Sequence, residues 1–278
     1  MTGRGNCLEE DMKNKFNYPD ATISTFDEVI DNYGWIAYEN AVDIAFIDEI
    51  ADSLAASYEM RRKIQVKNGI AAVMNGTLHH LVEKDTFTLK FLEKKYCAAQ
   101  IRHFLQGNYI LNSLGAVINL KGDMPYVQNI HRDIRSFTGD YKVMIQMMVI
   151  LDDFTLENGA TYFLSGSHKQ EERPTDEYFY KNADRAVVKK GSIILFDSNV
   201  WHATGKNNTD EKRRTLTMAF TRPFFKPQLD YPRSLGYEFG ESLGEDLRQV
   251  LGYNARVPEN LNEYYQPVEK RMYQPGQG

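Results

Sequence analysis

Two histidines and an aspartate have the types and spacing of a metal site. In the segment YVQNIHRDIRSF, His131 and Asp133 lie two residues apart in an apparent strand, so their side chains should share one face. His202 follows far downstream, at the end of another strand-like run, GSIILFDSNVWH. Two imidazoles and a carboxylate can bind a divalent metal and leave its other positions open, which is typical of non-haem Fe(II) sites. Alone, His131 and Asp133 have a simpler interpretation as a surface pair.

A pair of arginines, Arg213 and Arg214, opens a later strand, eleven residues beyond His202. Strand alternation allows only one of them to point inward, with Thr215 on the face of Arg213. A guanidinium aimed into a barrel that already holds a metal cation needs a compensating anion. Its planar fork suits a bidentate carboxylate, such as the distal carboxylate of 2-oxoglutarate. The other interpretation is a basic strand end that faces water.

The elements that must position these residues change character along the chain. Apolar residues at spacings of three or four predict a helix over residues 40–63, with Asn40 as its cap, and a second helix is predicted over 87–105. From Tyr109 onward, turn signals separate runs rich in β-branched and aromatic residues: YILNSLGAVINL, PYVQNIH, YKVMIQMMVIL, SIILFD and RTLTMAFTRPFF. Helices first and many short strands afterwards predict a sandwich or barrel with helices packed outside. A last helix is predicted near 240–251.

The composition argues against several kinds of partner. The chain has 278 residues, 33 Lys plus Arg against 38 Asp plus Glu, and a net charge of −5, so no basic field attracts nucleic acid or anionic lipid. Two cysteines, Cys7 and Cys97, cannot build a disulfide framework or a thiolate zinc site. The N-terminal residues lack the apolar core of a signal peptide, and no apolar run is long enough for a membrane span. We expect a cytoplasmic monomer or homodimer that acts on a small molecule, with no nucleic-acid or membrane partner.

The combined pattern resembles the phytanoyl-CoA dioxygenase family of Fe(II)/2-oxoglutarate oxygenases, and the residues that carry this resemblance are His131-x-Asp133, His202 and Arg213. The stretch LDDFTLENGATYFLSGSHK is similar to the family's D…ENG…PGSHK, with Ser165 where proline is usual. The stretch GSIILFDSNVWHATGKN is similar to its GD…F…H.S..N, with Ser192 in place of the acid. The resemblance extends over about residues 25–230 and is vaguer beyond them.

The resemblance implies roles for five of these residues. His131, Asp133 and His202 would ligate iron, and Arg213 would bind the C5 carboxylate of 2-oxoglutarate. The hydroxyl of Thr204 would join Arg213 on that carboxylate.

Two alternatives remain for the role of Thr204. Thr215, which lies on the same strand face as Arg213, could supply the hydroxyl instead. Thr204 could also be an ordinary strand residue whose hydroxyl bonds to the backbone.

Further site residues are predicted with an alternative for each. Gln146 interrupts an apolar run and, as a buried amide, needs partners; it is predicted to line the cosubstrate pocket or to make a structural hydrogen bond. Gln128 is predicted at the same pocket, although alternation places Asn129 on the His131 face. Arg135 is predicted to meet an anionic group of the substrate, or to lie exposed in a loop.

Two adjacent histidines, His79 and His80, fall in the helical third of the chain, from which proteins of this family often build a lid over the site. A solvated pair in a loop is the simpler interpretation of these two residues.

The predicted fold is mainly β with flanking helices: a double-stranded β-helix (a cupin-like jelly roll) with N-terminal helices packed on one sheet. One domain over 1–278 would comprise a helical part at about 20–106, a core at about 107–225 and a C-terminal wrap at about 226–278. The expected activity is hydroxylation of a small-molecule metabolite with Fe(II), 2-oxoglutarate and O2, releasing succinate and CO2. The same centre could desaturate, epoxidise or cyclise. The alternatives are a metal-dependent hydrolase or isomerase with the same triad, and a non-catalytic binding protein.

Overall fold

The β-branched and aromatic runs of the sequence form most of the strands. The computed structural model describes residues 17–18, 22–122 and 125–277, so the expectations about Cys7 and the N-terminal segment concern residues outside this part. The strands are β1 (Asn17–Tyr18), β2 (Trp35–Tyr38), β3 (Thr77–His79), β4 (Ile110–Asn119), β5 (Met144–Ile150), β6 (Tyr162–Phe163), β7 (Asp184–Arg185), β8 (Ile193–Asp197), β9 (His202–Ala203) and β10 (Arg213–Thr221).

Helices precede and follow this strand-rich region. The α-helices are α1 (Ile23–Tyr33), α2 (Ile44–Lys67), α3 (Phe87–Glu93), α4 (Ala98–Phe104), α5 (Asp176–Asn182), α6 (Tyr231–Leu235), α7 (Tyr237–Glu241), α8 (Glu245–Val250) and α9 (Leu261–Tyr264). Among the described residues, none of these helices has the length and apolar character needed to cross a membrane.

The strands form two sheets. The larger sheet has the order β1-β2-β8-β5-β10-β4-β3, and the smaller one has the order β7-β6-β9. All strand pairs are antiparallel except β1 with β2. Three isolated bridges among the described residues, His131 with His202, Phe154 with Val188 and Ala255 with Tyr273, add pairing beyond that of the named strands.

Strand alternation divides the larger sheet into a helix-packed face and a face that holds the site. On β10, Leu216 and Met218 point into the main core, where Phe26 of α1 and Ile50 of α2 are also buried. A second core, which includes Trp35, lies on the other face of the sheet and reaches β6 of the smaller sheet. The N-terminal helices therefore pack on one sheet, and the chain folds as the jelly roll that we predicted.

Both helix boundaries predicted in the first third are wrong in detail. Helix α2 begins at Ile44 because the carboxylate of Asp43 accepts hydrogen bonds from the amides of Ala45 and Phe46, while Asn40 is left-handed with a φ of 52°. The helix predicted over 87–105 is two helices, α3 and α4, since left-handed residues at 95 and 97 interrupt it.

Two predictions for later segments also change. The run PYVQNIH is not a strand: residues Tyr126–Gln128 form a 3-10 helix, and His131 alone makes a bridge. The single helix predicted near 240–251 is two short helices, α7 and α8.

Candidate metal centre

A backbone bridge brings His131 and His202 together. The amide of His131 donates to the carbonyl of His202 at 3.0 Å, and the amide of His202 donates back at 2.9 Å. This antiparallel bridge sets the two residues opposite each other, and their imidazole rings lie with centroids 4.2 Å apart. Two histidines that are far apart in the sequence thus share one side of the site.

Each of these imidazoles is held by a backbone carbonyl. Nδ1 of His131 lies 2.7 Å from the carbonyl of Asn129, and Nδ1 of His202 lies 3.0 Å from the carbonyl of Val200. A carbonyl can only accept, so both Nδ1 atoms donate, and each neutral ring keeps a lone pair on Nε2. Carbonyls that fix the tautomer in this way are a common outer shell of metal-binding histidines.

Asp133 completes the cluster from a bend in the chain. Its carboxylate oxygens lie 3.6 Å from Nε2 of His131 and 3.7 Å from Nε2 of His202. One ligand atom from each of the three residues lies within 4.8 Å of the others. The strand predicted through Asp133 is wrong, since the segment bends after His131 and the amides of Asp133 and Ile134 donate to the carbonyl of Ser198. The bend, not strand alternation, points the two side chains together.

Burial keeps His202 neutral. The residue is 7% exposed, and burial, with the nearby His131, lowers the pKa of His202 to about 4. At neutral pH its imidazole is therefore unprotonated, as a metal ligand must be. Two imidazoles and one carboxylate in this arrangement can hold a divalent metal and leave other coordination positions for small ligands.

The two arginines that open β10 have opposite environments. Arg213 is fully buried with its guanidinium carbon 4.3 Å from the ring centre of Phe154. None of its guanidinium nitrogens has a hydrogen-bond partner among the described residues, and burial lowers the pKa of Arg213 to about 9. Arg214 instead makes a bidentate ion pair with Asp152 at 2.7 and 2.8 Å. Alternation therefore placed Arg213 inside as predicted, while Arg214 is paired.

A cavity of about 210 Å³ joins the three metal-site residues to the inner face of β10. Gln146, Thr204 and Thr215 line it. The amide of Gln146 points at the sulfur of Met144 at 3.5 Å, and the hydroxyl of Thr215 donates to the carbonyl of Val149 at 2.9 Å. The backbone amide of Thr204 donates to the carbonyl of Val127 at 2.9 Å, which holds this residue at the cavity wall.

Two other predicted site residues lie elsewhere. Gln128 lines a neighbouring cavity of about 400 Å³, which also reaches Thr204. Arg135 is exposed and is not among the described residues that line the metal-site cavity. The metal-site cavity is thus lined by three of the predicted pocket residues, and Arg213, which is buried, is absent from its described lining like these two.

Tyr126, which the sequence reasoning missed, lines the same cavity, and so does His79, for which the sequence leaves a place in a lid over the site open. The TLH segment is a strand that pairs with β4, which was not predicted in this mostly helical third. His79 and His80 are both half-buried, and burial lowers the pKa of His79, so the pair is only partly solvated.

Comparison with known proteins gives a family. A family model described as Phytanoyl-CoA dioxygenase (PhyH) matches residues 30–215. Uncharacterized protein Rv1501 of Mycobacterium tuberculosis is 33% identical over 255 residues, which cover 86% of this chain and 93% of that protein. Dioxygenase cdmA of Talaromyces verruculosus is 28% identical, over 57% of this chain and 54% of cdmA.

Solved structures share the fold. The non-heme alpha ketoglutarate dependent epimerase SnoN from nogalamycin biosynthesis superposes with a TM-score of 0.55 at 14% identity, covering 74% of this chain and 85% of SnoN. HygX from Streptomyces hygroscopicus has a TM-score of 0.55 at 13% identity, covering 72% of this chain and 86% of HygX. At these identities the similarity concerns the fold alone.

Proposed function

The chain belongs to the phytanoyl-CoA dioxygenase family, and from that premise we propose that it is a non-haem Fe(II)/2-oxoglutarate-dependent oxygenase that hydroxylates a small molecule. The family and the dioxygenase relatives support an oxygenase, and the His-Asp-His cluster supports an iron site. The dependence on 2-oxoglutarate, the use of O2 and the hydroxylation are the finer parts of this proposal.

The metal ligands in this proposal are His131, Asp133 and His202. Their ligand atoms face one point, and the backbone carbonyls that accept from both Nδ1 atoms keep each Nε2 aimed there. When bound, Fe(II) with 2-oxoglutarate and O2 supplies the oxidising power to replace a substrate C–H by C–OH, with release of succinate and CO2. The chain itself holds the ligands in a fixed geometry and surrounds the reacting carbon with a cavity that limits access of water.

The observation that carries the 2-oxoglutarate proposal is the buried guanidinium of Arg213. A charge in such an environment is costly unless it is paired, and no described residue pairs with it by a hydrogen bond. The distal carboxylate of 2-oxoglutarate provides the bidentate acceptor that its fork needs. Thr204, which lines the cavity, would add a second hydrogen bond to that carboxylate through its hydroxyl. A hydrolase with the same triad has no use for such an anchor, which favours the oxygenase.

The outcome of the reaction is a separate part of the proposal. SnoN, which shares this fold, is a non-heme alpha ketoglutarate dependent epimerase, so an iron centre on this fold can end in outcomes other than hydroxylation. We propose hydroxylation for this chain and expect a product that is heavier than the substrate by one oxygen atom. Incubation under ¹⁸O2 with mass spectrometry of the product separates hydroxylation from desaturation, cyclisation or epimerisation.

Succinate formation tests the proposal. The purified chain with Fe(II) and O2 should convert 2-oxoglutarate to succinate, and H202A should abolish this turnover. In R213M the apparent KM for 2-oxoglutarate should rise by roughly 30-fold or more, since a lost partner in a buried charge pair costs at least about 2 kcal/mol. R214M is the matched control, because that arginine pairs with Asp152. Turnover that R213M leaves unchanged would contradict the assigned cosubstrate site.

A further inference from the structure

His79 reaches the metal-site cavity from a strand outside the predicted core. It is the last residue of β3, which pairs with β4 so that His79 lies opposite Gly115. Thr77, Leu78 and His79 all border the cavity, while Leu78 is also buried in the main core, as alternation along β3 predicts for its side chain. The short strand thus brings a polar ring to the wall of the site.

The end of β3 is held by Arg61 of α2. Its Nε donates to the carbonyl of His79 at 2.9 Å, and its Nη2 donates to the carbonyl of His80 at 2.6 Å. The same guanidinium pairs with Glu83 at 2.7 Å. Two carbonyl contacts and an ion pair thus hold the backbone that carries the His79 ring.

Tyr126 meets His79 across the mouth of the cavity. Its hydroxyl lies 3.3 Å from Nε2 of His79, and the two rings are nearly parallel, at 22° with centroids 6.4 Å apart. Tyr126 begins the 3-10 helix that precedes His131 and is 39% exposed, so it stands where the cavity opens to solvent. The pair therefore faces the route to the metal ligands.

The hydrogen-bonding capacity of this pair is limited. A neutral imidazole and a phenol carry one donor hydrogen each. Either the hydroxyl donates to Nε2, which leaves the Nδ1–H free, or Nε2–H donates to the hydroxyl oxygen, which leaves the O–H free. In both arrangements one hydrogen is used within the pair and one donor remains for a ligand.

The rest of the described cavity wall is mixed in polarity and carries no side-chain cation. Among the described residues that line it, Asp133 is the only carboxylate, and no lysine or arginine is present, since the buried Arg213 is not part of this lining. The lining includes apolar residues such as Met144 and Phe196 and uncharged polar ones such as Thr217. The proposed function assigns the metal and Arg213 to the cosubstrate, so an ionised substrate group would lose its hydration there without gaining an ionic partner of its own.

We propose that His79 and Tyr126 form the substrate-binding pair of this site and recognise a hydroxyl or carbonyl oxygen on a neutral small molecule. This inference rests on the proposed function, since the substrate must approach the iron past this pair. It replaces the predicted anionic contact at Arg135, which is exposed outside the described lining of the cavity. Tyr126 and His79 bind the substrate oxygen directly, and Arg61 positions His79.

Matched probes on one carbon skeleton test the inference. We would load the chain with Fe(II) and 2-oxoglutarate without O2 and titrate cyclohexanone, cyclohexanol, methylcyclohexane and cyclohexanecarboxylate, following the visible absorption of the iron complex. The ketone and the alcohol should bind roughly two- to tenfold more tightly than the hydrocarbon, which is the net worth of one neutral hydrogen bond. The carboxylate should bind more weakly than the ketone.

Conservative variants assign that preference to the pair. Y126F and H79F should lose the preference for the oxygenated probes and keep the affinity for methylcyclohexane. The control Y178F removes a hydroxyl from a 53% exposed tyrosine outside the cavity and should behave as the wild type. Wild-type affinities that do not favour the ketone over the hydrocarbon, undetectable binding of every probe, a preference for the carboxylate, or variants that keep the wild-type preference would each overturn the inference.

The same probes separate this inference from the proposed function. If no iron–2-oxoglutarate absorption appears, the proposed function fails, and probe binding is then measured on the metal-free chain by ligand-detected NMR. A preference for the ketone that Y126F and H79F abolish would still support the pair as a binding site. If the iron–2-oxoglutarate absorption appears but the probes bind with equal affinity, the proposed function is supported and the inference about His79 and Tyr126 is overturned.

Discussion

At the residue scale, the buried charge of Arg213 is energetically costly, and the proposed function gives it an anion as partner. The protein interior holds its guanidinium against Phe154 without a hydrogen-bond partner among the described residues. A contact with an aromatic ring compensates a buried cation only in part. The free energy of unfolding should therefore rise when an anion binds this arginine, and should also rise when the charge is removed.

R213M tests whether the buried charge lowers the stability of the protein and is needed to bind 2-oxoglutarate. In the absence of 2-oxoglutarate, the variant should be more stable than the wild type by roughly 1–4 kcal/mol, since replacement of a poorly compensated buried charge by an apolar side chain is often stabilising. It should also lose the increase in Tm that 2-oxoglutarate gives the wild type. Urea and thermal denaturation measure both effects.

The neighbouring arginine provides the control for this experiment. R214M breaks the bidentate pair with Asp152, so it should lower stability while keeping the response to 2-oxoglutarate. An R213M variant that is less stable than the wild type without 2-oxoglutarate would contradict the account of Arg213.

His202 predicts how stability depends on pH in the metal-free chain. Burial lowers its pKa to about 4 from an ordinary 6.5, so the unfolded chain takes up a proton before the folded chain does. Stability should fall as the pH drops from 6.5 towards 4, by up to about 3 kcal/mol from this residue. Urea denaturation at several pH values measures the slope, and H202Q should flatten it. An equal slope in the variant would assign the pH dependence to other groups.

At the element scale, the close approach of β3 to β4 depends on Gly115. A Cβ built on Gly115 would lie 2.4 Å from the carbonyl oxygen of Leu78, a backbone atom that cannot move without its strand. This close approach brings His79 over the cavity. Because Gly115 has no side chain, β3 can lie close enough to β4 for His79 to line the cavity.

G115A should displace β3. We expect a loss of stability of roughly 1–3 kcal/mol, as for other overpacked positions, together with weaker binding of cyclohexanone. The control is G244A, because a Cβ there would meet no atom within 4 Å and the φ of −63° suits any residue. Denaturation curves for both variants test the prediction. A G115A variant as stable as G244A would show that β3 tolerates the shift.

Alternation in long strands was predictable, and the ends of elements were not. The inward position of Arg213 followed from the period of two along β10, which tertiary contacts did not disturb. The bend after His131 did not follow from local sequence, because the contacts that shape it come from Ser198, far along the chain. The cap of α2 shows the same limit, since Asn40 and Asp43 are both good capping residues and only the fold selects between them.

At the scale of the whole molecule, the helices and the site occupy opposite faces of the larger sheet. This division could be predicted from the order of helical and strand-rich segments. The position of His79 could not, because β3 pairs with a strand that lies far away in the sequence. The limits of one domain over 1–278, with a core at about 107–225, stay a prediction.

The most direct test of the account is an anaerobic titration of the apoprotein with Fe(II) and then with 2-oxoglutarate, followed by ultraviolet–visible absorption. We predict a weak metal-to-ligand charge-transfer band that appears only when both are present, as expected of a 2-oxo acid chelated to iron held by two histidines and a carboxylate. The band should be absent in H202A and should need far more 2-oxoglutarate in R213M. Tight zinc binding with no such band would contradict the central claim and favour a metal-dependent hydrolase.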